Sequence, residues 1–159
     1  PDLATGVMRG RFHSGTGGDG QLYTCGMAAW STSQSKKKGG LFRIRYTGKP
    51  AHLPTQLSAR QKGVSVTFSE PLDPASITPK ALKIKSWDYI RSKNYGSKHL
   101  NEKSHSVTAT SLSPDGKTLT FQIAELSTCW QMSIKYELQA KDGSPVRGEI
   151  QNTIHTLRP

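Results

Sequence analysis

Ser113-Pro114-Asp115-Gly116-Lys117 and Lys141-Asp142-Gly143-Ser144 each interrupt a run of alternating apolar residues within residues 106–157. An Asp-Gly pair between two such runs marks a hairpin. Glycine takes the left-handed backbone that the turn needs, and aspartate bonds its own backbone two residues on. Residues 107–112 and 118–123 flank the first turn, and 131–138 and 150–157 flank the second. At least half of the chain is therefore expected to be an antiparallel β-domain.

Working outward, Gly63-Val64-Ser65-Val66-Thr67-Phe68 alternates with Val64, Val66 and Phe68 on one face, and Glu70-Pro71-Leu72-Asp73-Pro74 stops it. Residues 81–87 repeat the pattern, with Leu82 and Ile84 inward and Lys83 and Lys85 outward. Residues 88–104 are polar, dotted with aromatics, and read as a long loop. About seven short strands at this spacing predict an all-β antiparallel sandwich.

Two prolines in Lys49-Pro50-Ala51-His52-Leu53-Pro54 favour an extended linker and divide the chain into residues 1–50 and 51–159. In the first segment residues 1–20 read as loop, with a flexible turn at 15–20. A strand over 21–30 and a polar loop over 31–40 follow, the three lysines 36–38 at the loop tip. In the strand 41–46, Phe42, Ile44 and Tyr46 share one face and Arg43 and Arg45 the other. A lone hairpin of this size does not hold itself together in water. It is expected to pack on the sandwich.

Of the 159 residues 33% are apolar and 21% charged, which suits short strands and many turns. Nothing approaches the roughly 18 apolar residues of a membrane-spanning helix. Beginning at Pro1 with no basic-then-apolar leader, the chain reads as a mature product or an excised piece. The net charge is +11, and it is uneven. Residues 1–50 hold eight Lys/Arg against two Asp/Glu, 51–106 nine against four, and 107–159 five against five. A basic surface attracts nucleic acid, acidic glycan or anionic lipid with little specificity. The plainer reading is a solvated face, or compensation for an acidic neighbouring domain.

The blocks Val64-Ser-Val-Thr-Phe-Ser-Glu-Pro-Leu-Asp73, Leu112-Ser-Pro-Asp-Gly-Lys-Thr-Leu-Thr-Phe121 and Tyr136-Glu-Leu with Asp142-Gly143 resemble the bacterial Ig-like domains of secreted and surface proteins, over roughly residues 55–157. Asp19-Gly20-Gln21-Leu22-Tyr23 and residues 39–48 resemble the last blade of secreted β-propellers related to sugar and sorbosone dehydrogenases. The segments Trp87-Asp-Tyr89, Tyr95-Gly-Ser97 and Thr153-Ile154-His155 resemble the Ig-like module that follows such propellers in multidomain bacterial proteins, often beside cytochrome c domains. This resemblance implies an extracellular or periplasmic location, a redox or sugar-related parent, and other domains of a larger chain as partners. The catalytic and quinone-binding residues of such propellers lie in blades outside this chain, so none is carried over. A blade has four strands, and these residues supply two.

No Gly-x-Ser-x-Gly, His-Glu-x-x-His, Walker loop or Cys-x-x-Cys is present. His13, His52, His99, His105 and His155 never take zinc-ligand spacing. Cys129 and Met132 belong to the ligand types of blue-copper sites, but core packing is the simpler role for Met132. A disulfide between Cys25 and Cys129 would need the first segment packed on the β-domain; the default for Cys25 is a buried free thiol. No cofactor, metal or catalytic set is implied, and the chain is not read as an enzyme.

Function concentrates, if anywhere, in residues 86–106, where Trp87, Tyr89, Tyr95 and His99 alternate with Arg91, Lys93, Lys98 and Lys103. Such rings stack on sugars or bases, and the interleaved cations hold anionic groups. The candidate ligand-binding set is Trp87, Tyr89, Arg91, Lys93, Tyr95 and His99; the competing role is that Trp87 and Tyr89 plug the end of the sandwich. Three functions follow: a non-catalytic Ig-like accessory module for domain docking or glycan or protein contact; a polyanion- or nucleic-acid-binding domain; and a fragment of an electron-transfer or sugar-oxidising enzyme.

Overall fold

The computed structural model describes residues 12–16, 21–27, 39–45 and 47–159, and of residues 12–16, 25–27 and 39 the backbone only. Residues 17–20 of the expected turn, the lysine tip at 36–38, the end of the 21–30 strand, Tyr46, and the side chains of His13 and Cys25 lie outside this set. The chain divides into two compact units, Pro1–Lys49 and Pro50–Pro159.

In the first unit β1 (Phe12–Thr16), β2 (Leu22–Met27) and β3 (Gly39–Ile44) form an antiparallel sheet in that order. Strand β1 falls where the sequence reads as loop. Its residues carry little alternation, but it pairs along β2 from Phe12↔Gly26 to Thr16↔Leu22, which satisfies its backbone. Phe42 and Ile44 are half-buried while Arg43 and Arg45 are exposed, as the alternation requires.

The second unit holds eight strands: β4 (Pro54–Arg60), β5 (Gly63–Phe68), β6 (Leu82–Asp88), β7 (Leu100–His105), β8 (Val107–Leu112), β9 (Thr118–Ile123), β10 (Cys129–Gln139) and β11 (Pro145–Ile154). They form two four-stranded antiparallel sheets, β4-β5-β9-β8 and β11-β10-β6-β7. These are the A-B-E-D and G-F-C orders of an immunoglobulin domain, with β7 added as an edge beside the C strand. The sandwich is all-β and Ig-like, with one strand more than the seven expected.

Period-two alternation builds the interior. Val64, Val66, Phe68, Leu119, Phe121 and Ile123 of one sheet join Leu82, Ile84, Met132, Ile134, Tyr136 and Leu138 of the other in one buried cluster. Phe68 and Tyr136 meet edge to face across the layer, ring centres 5.5 Å apart. Met132 is fully buried in this cluster, the packing role expected of it, and Cys129 beside it is a buried free thiol.

Both Asp-Gly turns lie at one end of the sandwich. Gly116 and Gly143 take φ of +73° and +83°, a region costly for side chains with a Cβ. The Asp115 carboxylate accepts from the Ser113 hydroxyl and, at 3.0 Å, from the Lys117 amide; that of Asp142 accepts from the Ser144 amide at 2.9 Å. The segment after β5 ties the turns together. The Leu72 amide donates to the Gly116 carbonyl at 2.8 Å, and the Lys141 amide to the Pro71 carbonyl at 2.9 Å. Leu72 is buried in the core between them.

These bonds favour the ionised carboxylates. The Ser113 hydroxyl, above all, holds Asp115 below its ordinary 3.8, and the Ser144 amide does the same for Asp142. A carboxyl depressed in the folded state contributes stability above its unfolded pKa and loses it as pH falls through the folded one. Urea unfolding at neutral pH and at about pH 2.5 should therefore show an acid loss that shrinks in Asp115→Asn/Asp142→Asn. An identical loss in the variant would contradict this role for the turns.

Candidate functional site

Strand β6 aims Lys83 and Lys85 outward, and Trp87 is next in the outward series. Trp87 is nonetheless only 9% exposed and lies outside the inter-sheet core. The cover comes from the loop between β6 and β7, which folds back over it. His99 stacks on the indole with centres 4.2 Å apart and planes 17° off parallel. Tyr89 meets Trp87 and His99 edge-on at 6.4 and 6.1 Å. The three rings form a small cluster in which Trp87 is buried and Tyr89 and His99 remain exposed.

Polar contacts fix this arrangement. His99 Nδ1 lies 2.8 Å from Glu102 Oε2, and Lys85 Nζ donates to Glu102 Oε1 at 2.8 Å. The Lys85 hydrogen bond, then that of His99, holds the Glu102 carboxyl below the usual carboxylate range. Asn101 takes a left-handed φ of 53° and its amide reaches Asp88 Oδ2 at 3.4 Å. Asp88 Oδ1 accepts from the Trp130 amide at 3.1 Å, tying the loop to β10 where its register shifts. Behind the loop the Ser86 hydroxyl lies 2.7 Å from His105 Nε2; burial, then Lys103, lowers the His105 pKa.

The structure thus brings together Trp87, Tyr89 and His99 from the expected set. Arg91, Lys93 and Tyr95 sit exposed on the loop and, among the described residues, make no ion pair or ring contact with the stack. Trp87 does not plug the sandwich; its place on the outward face decides that. Sequence reasoning missed Trp130, which is 61% exposed with its backbone held by Asp88 and by the Thr153 hydroxyl.

Tyr89, Ile90, Tyr95, Leu100 and Trp130 make up five of the eight large apolar side chains exposed among the described residues. All five belong to this end of the sandwich, opposite the Asp-Gly turns. A cavity of about 340 Å³ beside the stack is lined by Trp87, Asp88, Asn101, Glu102, Thr128 and Cys129, among others. Burial raises the Cys129 pKa, which disfavours its thiolate. Among the described residues no three His, Cys, Asp or Glu side chains group closely enough to hold a metal ion. No described helix is long and apolar enough to cross a membrane.

No protein-family model and no curated protein matches this chain. Among solved structures it is similar to the crystal structure of the S-layer protein rSbsC(31-844), with 15% identity and a TM-score of 0.49. That similarity covers 67% of this chain and 14% of the other.

Removing the His99 ring should open the loop over Trp87. His99→Ala is expected to shift tryptophan emission to the red and raise its quenching by acrylamide, with the far-ultraviolet β signal kept. Unchanged emission and quenching would contradict the stack as the loop's anchor.

Proposed function

We propose that this chain is a non-catalytic Ig-like accessory module of a larger secreted bacterial protein, and that the loop end of its sandwich is a contact surface. The observation that carries this reading is the gathering of Tyr89, Ile90, Tyr95, Leu100 and Trp130, five of the eight exposed large apolar side chains among the described residues, at one end of the sandwich. Apolar side chains clustered in water mark interaction sites, and Tyr, Trp and Arg are the types enriched at protein interfaces. Arg91 and Lys93 stand exposed beside the rings. The stacking of exposed His99 on buried Trp87 and the Asp88 bonds hold the loop in shape beforehand, which lowers the ordering cost of binding.

The partner in this reading is a protein, either a neighbouring domain or a separate chain. The first unit supports a propeller-related parent to the extent that β1-β2-β3 runs in chain order, as blade strands do. The polar cavity of about 340 Å³ beside the stack favours a second use of the same end, contact with a sugar ring. A photo-crosslinking residue placed at Tyr95 or Trp130 in the secreting cell should trap a discrete protein adduct. The same residue at Ser111, exposed on the other sheet, should not. Equal adducts at all three positions, or none at Tyr95 and Trp130, would remove the protein-contact reading; a glycan array on Tyr95→Ala and Trp130→Ala then tests the sugar reading.

A further inference from the structure

We infer that the outward face of β6, β10 and β11 carries a second site, a cationic groove that takes the carboxylates of an acidic polysaccharide. The groove encloses about 510 Å³ where the segment after β5 passes along the sheet, toward the Asp-Gly end and away from the aromatic loop. Lys80, Lys83, Lys135 and Arg147 line it, together with Glu137 and Gln139.

Strand register creates the charge arrangement. Lys83 on β6 lies directly across from Lys135 on β10. Like charges facing each other across an antiparallel pair destabilise it, so scaffold stability does not account for this pairing. Two carboxylates on the face, Glu137 and Glu149, stand against these four cations and leave a net positive charge. Glu149 reaches Lys135 at 3.7 Å, and Glu137 is the cross-strand neighbour of Arg147. Among the described residues Lys80, Lys83 and Arg147 make no ion pair. Three free cations converge on one concave surface.

The rest of the lining selects the kind of anion. Nucleic acid presents one charge per about 1.7 Å of duplex axis, and single strands bind by stacking bases on rings. This groove has a carboxylate, Glu137, in its wall and no aromatic lining residue. Glu137 repels a continuous phosphate backbone but accepts hydrogen bonds from sugar hydroxyls. Lys83, Lys135 and Arg147 sit on adjacent strands about 4.8 Å apart, with Lys80 on the turn before β6, suited to a polymer that carries spaced carboxylates and hydroxyls between them.

The test is affinity electrophoresis of the whole chain at low salt through gels holding polygalacturonate, neutral dextran or single-stranded DNA. Retardation by polygalacturonate and not by dextran is expected. Lys83→Gln/Arg147→Gln should weaken binding about tenfold or more, the usual scale for losing charge-assisted hydrogen bonds. Its unfolding midpoint should be unchanged or raised, since the facing ammonium is gone. Lys141→Gln, an exposed lysine off the groove, should bind as wild type. Three results would each overturn the proposal: no retardation by polygalacturonate, an equal loss in Lys141→Gln, or tighter binding to DNA. Tyr95→Ala/Trp130→Ala leaves this binding unchanged, which separates its failure from that of the aromatic contact surface.

Discussion

The interlayer between the two sheets is the constraint on which every other feature depends. Strand side chains alternate with period two, and a register slip of one residue would turn each apolar set to solvent. With Leu82 and Ile84 inward on β6, and Met132, Ile134, Tyr136 and Leu138 inward on β10, Lys83, Lys85, Lys135 and Glu137 have only the outer face left. The same rule puts Trp87 outside, where it would be exposed but for the loop. Packing of the core therefore sets both the cationic groove and the aromatic end.

The Asp-Gly turns hold that register. Each is closed by its own aspartate, and the chain after β5 bonds to both, so one end of the sandwich is locked by backbone hydrogen bonds. At the other end the loop between β6 and β7 relies on ring stacking and on Asp88 and Glu102. The stiff end serves as scaffold, and the side-chain-held end offers its apolar groups to solvent.

Much of this was legible in the sequence, and the parts that were not share a physical reason. Strands β5, β6, β8, β9 and β10 announce themselves by alternation because one face is buried. The edges do not. In β4, which follows directly on the expected linker, Thr55 and Gln56 are exposed and Leu57, Ser58 and Ala59 all half-buried, so no alternation marks the strand, and β7, Leu-Asn-Glu-Lys-Ser-His, is exposed nearly throughout. Edge strands need few apolar residues and are often charged. Strand β11 begins at Pro145, ahead of the expected start at 150, since proline is tolerated at the first position of an edge strand. Within the loop, aromatic spacing identified Trp87, Tyr89 and His99, but their stacking depends on a chain reversal that spacing does not encode. Trp130 sits where β10 shifts register, and no local pattern reveals which way such a residue points. Charge by segment also misled. Lys135 and Arg147 come from the neutral third, yet they share a face with Lys80 and Lys83 from the basic part.

One sandwich, fixed by its interior, presents a cationic groove on one face and an aromatic loop at one end. The most direct measurement is a titration of isotope-labelled chain with tetragalacturonate, read by amide chemical shifts. Shifts confined to Lys80, Lys83, Lys135, Glu137 and Arg147 are expected, with Tyr95 and Trp130 still. Shifts centred on the aromatic loop, or none at saturating sugar, would contradict this.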